Sequence, residues 1–471
     1  MPKNDYWKLS AFKGAKLIRD GSISAEDLVS SCIERVNQTN NKINAIVDDL
    51  SCSALEKAHE FDKLSKRGSF KGPLHGVPIT IKENIDQKGY ATPNGLEALK
   101  DLIAPGNAPV VDNLEKDGAI IIGRTNTPEF SMRGTTDNVI HGRTYNPWND
   151  WASPGGSSGG ASAAVMSGMG SLAHGNDIAG SLRIPSTATG ACTVKPGLGR
   201  VPAYNPSQTQ ERGLVAQLMS VQGIIAREIK DVRLGMQSLI NYDPRDPWMV
   251  EIPFQSNSIT SPITIGYTKE TLGEVLHPAV EKALDNAIEA LEDAGYILEE
   301  IALPEFQDAA NFSAKTLFGE LKVLLEEDFK NLGSKDFNLV ADNYFKIISP
   351  FEGEDLLLGM AKRSYFFREW NLFFRKYPLV LTPFLLYPTY EWDRDTQGIE
   401  GTKEVLAGMF YAHTMNYMGI PAGLVSAHYN DGLPVGVQII SSRFREDIIL
   451  NACEEIEKRV GIMSEKLFER G

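Results

Sequence analysis

The chain has little cysteine. Cys32, Cys52, Cys192 and Cys453 are its four, far apart and with no CxxC pair, so a cysteine zinc site has no basis. Four cysteines allow two disulfides, but so few in 471 residues fit a reducing compartment better. No long hydrophobic run occurs. The most apolar stretch, residues 377–388 (YPLVLTPFLLYP), is too short to span a bilayer and is interrupted by proline. No basic cluster occurs either. With 47 Lys and Arg against 61 Asp and Glu, the formal charge is −14, which argues against holding a nucleic-acid backbone and fits a role in solubility. The opening residues, MPKNDYWKLS, are polar and lack the apolar region of a signal peptide, so a soluble cytoplasmic protein is expected. Internal repeats, low-complexity tracts and Ser/Gly linkers are missing. A chain this long buries enough apolar surface to need no metal or disulfide staple.

What is present is an intermixture of helix and strand patterns. Ser24 with Asp27 forms a capping-box pattern ahead of Leu28, Cys32, Ile33 and Val36 at helical spacing. Helices are also expected over 51–66, 109–117, 224–241, 277–295 and 446–459. In residues 76–82 (GVPITIK), Val77, Ile79 and Ile81 share one face of a strand. Further strands are expected at 119–122, 263–267, 379–382, 422–426 and 435–440. Residues 305–376 read as mainly helical and aromatic-rich. Strands and helices alternating through both halves point to one α/β architecture with a helical insertion.

Two segments carry the chemistry: SPGGSSGGAS (153–162) and HGNDIAGSLRIP (174–185). Glycine beside serine lets a backbone turn tightly and aim consecutive N–H groups at one point, where they stabilise an oxyanion. Serine is a nucleophile only if a base takes its proton. Residues 155–159 satisfy G-x-S-x-G, the elbow of α/β-hydrolases, but that scheme needs a later acid and then a histidine, and His277, His413 and His428 have no distinctive setting. No lysine follows these glycines as a phosphate loop requires. Ser10 and Lys13 match S-x-x-K within a helical pattern at the extreme N-terminus. Lys82 is the stronger base candidate. It ends an apolar strand, and desolvation lowers an amine's pKa from about 10.4 toward the range where it accepts protons.

GVPITIKENI (76–85), SPGGSSGGASAAV (153–165) and DIAGSLRIPS (177–186), in that order and with Lys82 75 residues before Ser157 and Ser157 24 before Ser181, closely resemble the amidase signature family. Segments 118–130, 195–202, 223–247 and 432–440 are similar as well. The resemblance covers about residues 20–300 and 378–455 and thins over 305–376. It implies a single-domain α/β/α sandwich around a large mixed β-sheet, spanning residues 1–471, with 305–376 as a variable helical region. It also implies hydrolysis of a carboxylic amide C–N bond: Ser181 as the acyl-accepting nucleophile, Ser157 after a cis peptide bond as the bridging serine, and Lys82 as the neutral base. Backbone N–H groups of Ile178, Ala179 and Gly180 would receive the oxyanion, with that of Ser181 itself a further candidate, and no metal or cofactor is required. The family usually has Gly-Gly before the nucleophile, whereas this chain has Ala179-Gly180. HGNDIAGSLRIP and TYNPWN (144–149) are most similar to the branch that includes cyclic nylon-oligomer hydrolases.

Around this triad, Ser158 is expected to cap the following helix, and Asp177 and Arg183 to orient the loop. Asn126, Glu129, His174 and Cys192 are expected to be structural. Phe318, Phe345, Phe351, Tyr365 and Phe366 are candidates for a substrate-pocket wall. The expected partner is a small amide, with no nucleic acid or membrane, and the oligomeric state is open. Two rival activities share the triad: the ammonia-releasing A component of a glutamine-dependent tRNA amidotransferase, and a hydrolase acting mainly on esters or carbamates. A catalytically dead scaffold is disfavoured by the retention of Lys82, Ser157 and Ser181 together.

Overall fold

The computed structural model describes residues 2–255 and 262–470. Its strands are β1 (Ile46–Asp49), β2 (Pro78–Lys82), β3 (Ile120–Thr125), β4 (Leu172–Asp177), β5 (Cys192–Lys195), β6 (Val221–Ala226), β7 (Thr264–Tyr267), β8 (Ile297–Glu300), β9 (Leu379–Pro383), β10 (Ala422–Asn430) and β11 (Leu433–Ser441). All eleven join in one mixed sheet, in the order β1-β3-β2-β4-β6-β5-β10-β11-β9-β7-β8. β2 runs parallel to both β3 and β4, whereas β4, β6, β5, β10, β11 and β9 pair antiparallel in succession. The edge strands β1 and β8 are four residues long and end in acid pairs, Asp48-Asp49 and Glu299-Glu300, which discourages pairing with another chain.

Strand alternation divides the core between the two faces. Val77, Ile79, Ile81, Leu172 and Ile224 face the helices Pro109–Lys116, Ile229–Leu239, Pro278–Asp293 and Glu446–Val460. Ala173 and Ile225 face the other way, onto the helix Gly159–Met166. Further along that second face, Val380, Ala422 and Ile440 pack against the helices Phe306–Leu332, Gly353–Phe373 and Phe410–Met418. Each fully buried aliphatic side chain in these layers contributes about 1.5–3 kcal/mol. The α/β/α sandwich is thus the expected one, with the sheet buried on both sides.

Most expected elements form. Ser24 and Asp27 close a capping box, and residues 305–376 fold as three helices, Phe306–Leu332, Lys335–Ile348 and Gly353–Phe373. One boundary differs: residues 224–226, expected to begin a helix, belong to β6, and the helix starts at Ile229. A short apolar run such as VQGIIA suits either element, and only its pairing with β4 and β5 decides.

Candidate active site

β2 brings Lys82 to the site by its parity. Ile79 and Ile81 point into the larger core, so Thr80 and Lys82 point to the face that carries the helix Gly159–Met166. Lys82 is fully buried. Its Nζ donates to Ser157 Oγ at 2.7 Å and to Asn176 Oδ1 at 2.8 Å. Burial pushes its pKa down to about 7, against the opposing pull of Asp177 and Glu83. Lys195 is equally buried and also lowered to about 7, by burial and by Arg183, but its ammonium donates to the Pro196 carbonyl rather than to a serine. A depressed lysine is therefore not by itself a base; of these two, Lys82 is the one within hydrogen-bond distance of a serine.

Ser157 follows a cis Gly156–Ser157 peptide bond, as the resemblance implied. The segment before it is held from several sides. Thr136 Oγ1 donates to Gly155 O at 3.0 Å and accepts from Gly159 N at 3.1 Å, and Thr127 Oγ1 donates to Ser157 O at 3.0 Å. Gly156 packs so close to the Arg133 and Thr135 carbonyls that a Cβ there would lie 2.5 and 2.6 Å from their oxygens, so only glycine fits. Arg133 is anchored in turn by a paired contact to Asp395, at 2.9 and 2.8 Å. Ser158 occupies the N-cap position of the helix Gly159–Met166, but its hydroxyl makes no cap bond. That hydroxyl instead donates to Asn176 O at 3.3 Å and accepts from Asn176 N at 3.4 Å, tying the helix start to the end of β4.

Ser181 stands on the loop between β4 and the short helix Arg183–Thr189. It is 8% exposed, and its hydroxyl hydrogen-bonds to no described residue. Its carbonyl accepts from Ser158 N at 3.3 Å, which joins the two serine loops. Asp177 organises the turn. Its carboxylate accepts from Gly180 N at 2.7 Å, Leu182 N at 3.1 Å, and Arg183 Nε and Nη2 at 3.1 Å each. Burial alone would raise the Asp177 carboxyl, but Arg183, Lys195 and the Gly180 N–H hold it below the ordinary carboxylate range. The Gly180 N–H is thus committed to Asp177, which corrects its expected place among the oxyanion donors. The N–H groups of Ile178, Ala179 and Ser181 have no partner among the described residues. Ala179 keeps a negative φ, so its methyl causes no conflict; Gly180 takes φ +118°, where a Cβ would also crowd Ala412 and Ile184 at 2.8 Å.

Arg183 is fully buried and spends its remaining donors on Gln438 Oε1 at 2.7 Å, Ala412 O at 3.1 Å and Asn416 Oδ1 at 2.6 Å. These contacts tie the Asp177–Arg183 pair to β11 and to the helix Phe410–Met418. Arg183→Met would leave the Asp177 charge buried without its partner, so we expect a loss of about 3–5 kcal/mol in urea unfolding at pH 7. A loss under about 1 kcal/mol would mean that the pair does not hold the loop.

The remaining candidates are structural, as expected. Asn126 binds Gly142, Thr144 and Asn138, and Glu129 accepts from the backbone and hydroxyl of Ser334. His174 pairs with Gln222 and is kept neutral, its pKa pushed down to about 3 by burial. Cys192 lies in the core, its thiol pushed up by burial and Glu457. Phe366 lies in the buried cluster on which Tyr365 and Phe318, and also Ile178 and Ala179 of the Ser181 loop, pack, while Tyr365 and Phe312 also line a cavity of about 430 Å³ that no triad residue lines. A second part of the insertion, Phe329 and Phe337 with Phe345 in the same cluster, packs with Phe130 and Met132 beside Ser131. Asn84, Asn176, Thr127 and Arg133 were not anticipated, since nothing in their spacing points to Lys82 or Ser157. Among the described residues no three His, Cys, Asp or Glu side chains are placed to hold a metal ion, and no helix is long and apolar enough to cross a membrane.

Fold and site together describe an amide-hydrolysing class of enzyme. The amidase family model matches residues 27–450, and the chain belongs to that family, the amidase signature enzymes, which makes it an amide C–N hydrolase. It is 42% identical over 469 residues to the indoleacetamide hydrolase of Bradyrhizobium diazoefficiens, covering 99% of this chain and 90% of that one. It is 30% identical over 481 residues to the A component of the glutamyl-tRNA(Gln) amidotransferase of Clostridium kluyveri, with 96% of each covered. Among solved structures, a bacterial aryl acylamidase superposes with TM-score 0.83 at 25% identity, covering 98% of both chains. The 6-aminohexanoate cyclic dimer hydrolase superposes with TM-score 0.82 at 25% identity, covering 97% of this chain and 98% of that one. The nylon-oligomer branch is therefore one of several neighbours.

Proposed function

We propose that the chain hydrolyses a primary arylacetamide of the indoleacetamide type through a covalent intermediate on Ser181. The observation that carries the mechanism is the buried 2.7 Å contact between Lys82 Nζ and Ser157 Oγ. Neutral Lys82 takes the Ser157 proton while Ser157 takes that of Ser181. Ser181 Oγ then attacks the carbonyl carbon, and the N–H groups of Ile178, Ala179 and Ser181 receive the oxyanion. Return of the proton along the same relay lets ammonia leave, and water cleaves the acyl ester to release the acid and restore Ser181. The substrate class is supported by 42% identity to indoleacetamide hydrolase over nearly the whole chain.

The test offers the purified chain indoleacetamide, a short aliphatic amide, an anilide, the 6-aminohexanoate cyclic dimer and glutamine, and follows ammonia or amine release. We expect kcat/KM for indoleacetamide to exceed the others at least about tenfold, the discrimination a shaped apolar pocket supplies. Preference for glutamine would replace this reading with the amidotransferase one, and preference for the anilide or the cyclic dimer with those neighbours' chemistry.

A further inference from the structure

Lys82 touches two oxygens, and their chemistry differs. A hydroxyl such as that of Ser157 donates or accepts, whereas the amide oxygen of Asn176 only accepts. Asn176 Oδ1 must therefore meet an N–H of Lys82. Its neighbours decide which end of that amide faces the lysine. Asn176 Nδ2 donates to Asn84 Oδ1 at 2.9 Å, Asn84 Nδ2 donates to Ser131 Oγ at 2.9 Å, and Ser131 Oγ donates to Asn94 Oδ1 at 2.6 Å. Asn84 Nδ2 also reaches Asn176 Oδ1 at 3.4 Å, and Asn205 Nδ2 holds the Asn84 carbonyl at 3.0 Å. Turning the Asn176 amide over would set oxygen against oxygen at Asn84 and offer Lys82 a donor, drawing the lone pair of a neutral amine away from Ser157. The backbone of Asn176 is pinned separately by Ser158.

We propose that Asn176, locked by Asn84, is a positioning residue for the hydrolysis: it holds one N–H of Lys82 so that the nitrogen lone pair of the neutral amine points at Ser157 Oγ. This rests on Lys82 being the base. The other groups facing Lys82 are Glu83, next to it and bound to His141 at 3.0 Å; Asp177, next to Asn176 and held by Arg183; and neutral His174. All of them stay in place in the variants below, so a change in titration reports on position 176.

The experiment measures kcat and KM from pH 5.5 to 10.5 for the parent, Asn176→Asp, Asn176→Ala, Asn84→Ala and Lys82→Ala, with circular dichroism as the folding check. Inactivation by phenylmethylsulfonyl fluoride gives a second readout that needs no amide. A carboxylate at position 176 favours the ammonium, so Asn176→Asp is expected to move the acidic limb of kcat/KM up by about 1–3 pH units. Activity at pH 7 then falls at least about tenfold and recovers above pH 9. Asn176→Ala removes an acceptor that favours the ammonium, so its limb moves down while kcat falls and KM holds. Asn84→Ala, which frees the amide to turn, lowers kcat several-fold at constant KM. A purely structural role would not displace the limb in opposite directions. If Lys82→Ala is inactive while the folded variants keep the parent's limb and kcat, Asn176 is not a positioning residue and the proposal is overturned. If Lys82→Ala remains active, the base assignment fails and the proposal falls with it.

Discussion

Ser181→Ala is expected to lower kcat by about 10⁴-fold or more, the scale seen when a nucleophile that works as part of a unit is removed. Among the described residues none hydrogen-bonds the Ser181 hydroxyl or the nearby N–H groups of Ile178, Ala179 and Ser181, so on the proposed mechanism the loss of that hydroxyl removes the covalent step itself. The same freedom means that the fold gives up little. The urea midpoint should stay within the range of ordinary surface changes, about 0.5 kcal/mol. Mass spectrometry of the parent stopped with phenylmethylsulfonyl fluoride should find the label on the peptide carrying Ser181, and the variant should stay unlabelled. Undiminished turnover in a folded Ser181→Ala protein would mean that the nucleophile lies elsewhere.

Lys82→Met is the second large effect. Methionine fills a similar volume with no proton to move, so kcat should fall by a comparable factor. The parent should also show a pH dependence that the variant lacks. The base works only when neutral, and burial sets its pKa at about 7, so kcat/KM should fall about tenfold per pH unit below 7 and level off above it. Stability follows the same shift. The folded value lies below the unfolded one, so between about 7 and the ordinary lysine value of 10.5 the unfolded chain holds the extra proton, and the parent gains stability as pH rises through that window. The cost of the buried ammonium is fully present below pH 7. Lys82→Met should therefore compare best with the parent in acid and lose that advantage toward pH 10. A parent profile flat between pH 5.5 and 8 would remove Lys82 from the role of base.

Much of the site was legible in the residues themselves. Parity along GVPITIK sends Ile79 and Ile81 one way and Lys82 the other, and a strand cannot rearrange that alternation. The glycines around Ser157 and before Ser181 marked backbone that must turn where side chains have no room, and the cis bond and the φ of Gly180 lie there. The helical, aromatic-rich reading of 305–376 holds as three helices.

Other features depended on contacts between distant segments. β4, which carries His174, Asn176 and Asp177, contains glycine and a run of polar residues, and it forms a strand because β2 and β6 flank it. Gly180 N–H looked like an oxyanion donor until the turn brought it to the Asp177 carboxylate, and Ser158 looked like a cap until β4 offered the Asn176 backbone. Asn84 and Asn176 stand 92 residues apart. Residue type and spacing by themselves determined the strand and the tight turns, because these follow from local sterics and alternation, whereas the amide-hydrolysing roles of Lys82, Ser157 and Ser181 are what the resemblance to the amidase signature family implies. The tertiary structure alone decided which N–H groups remain free, which amide faces Lys82 and which lysine meets a serine. A hydrogen bond is spent on whichever partner folding brings within reach, and that partner is set by the whole sheet.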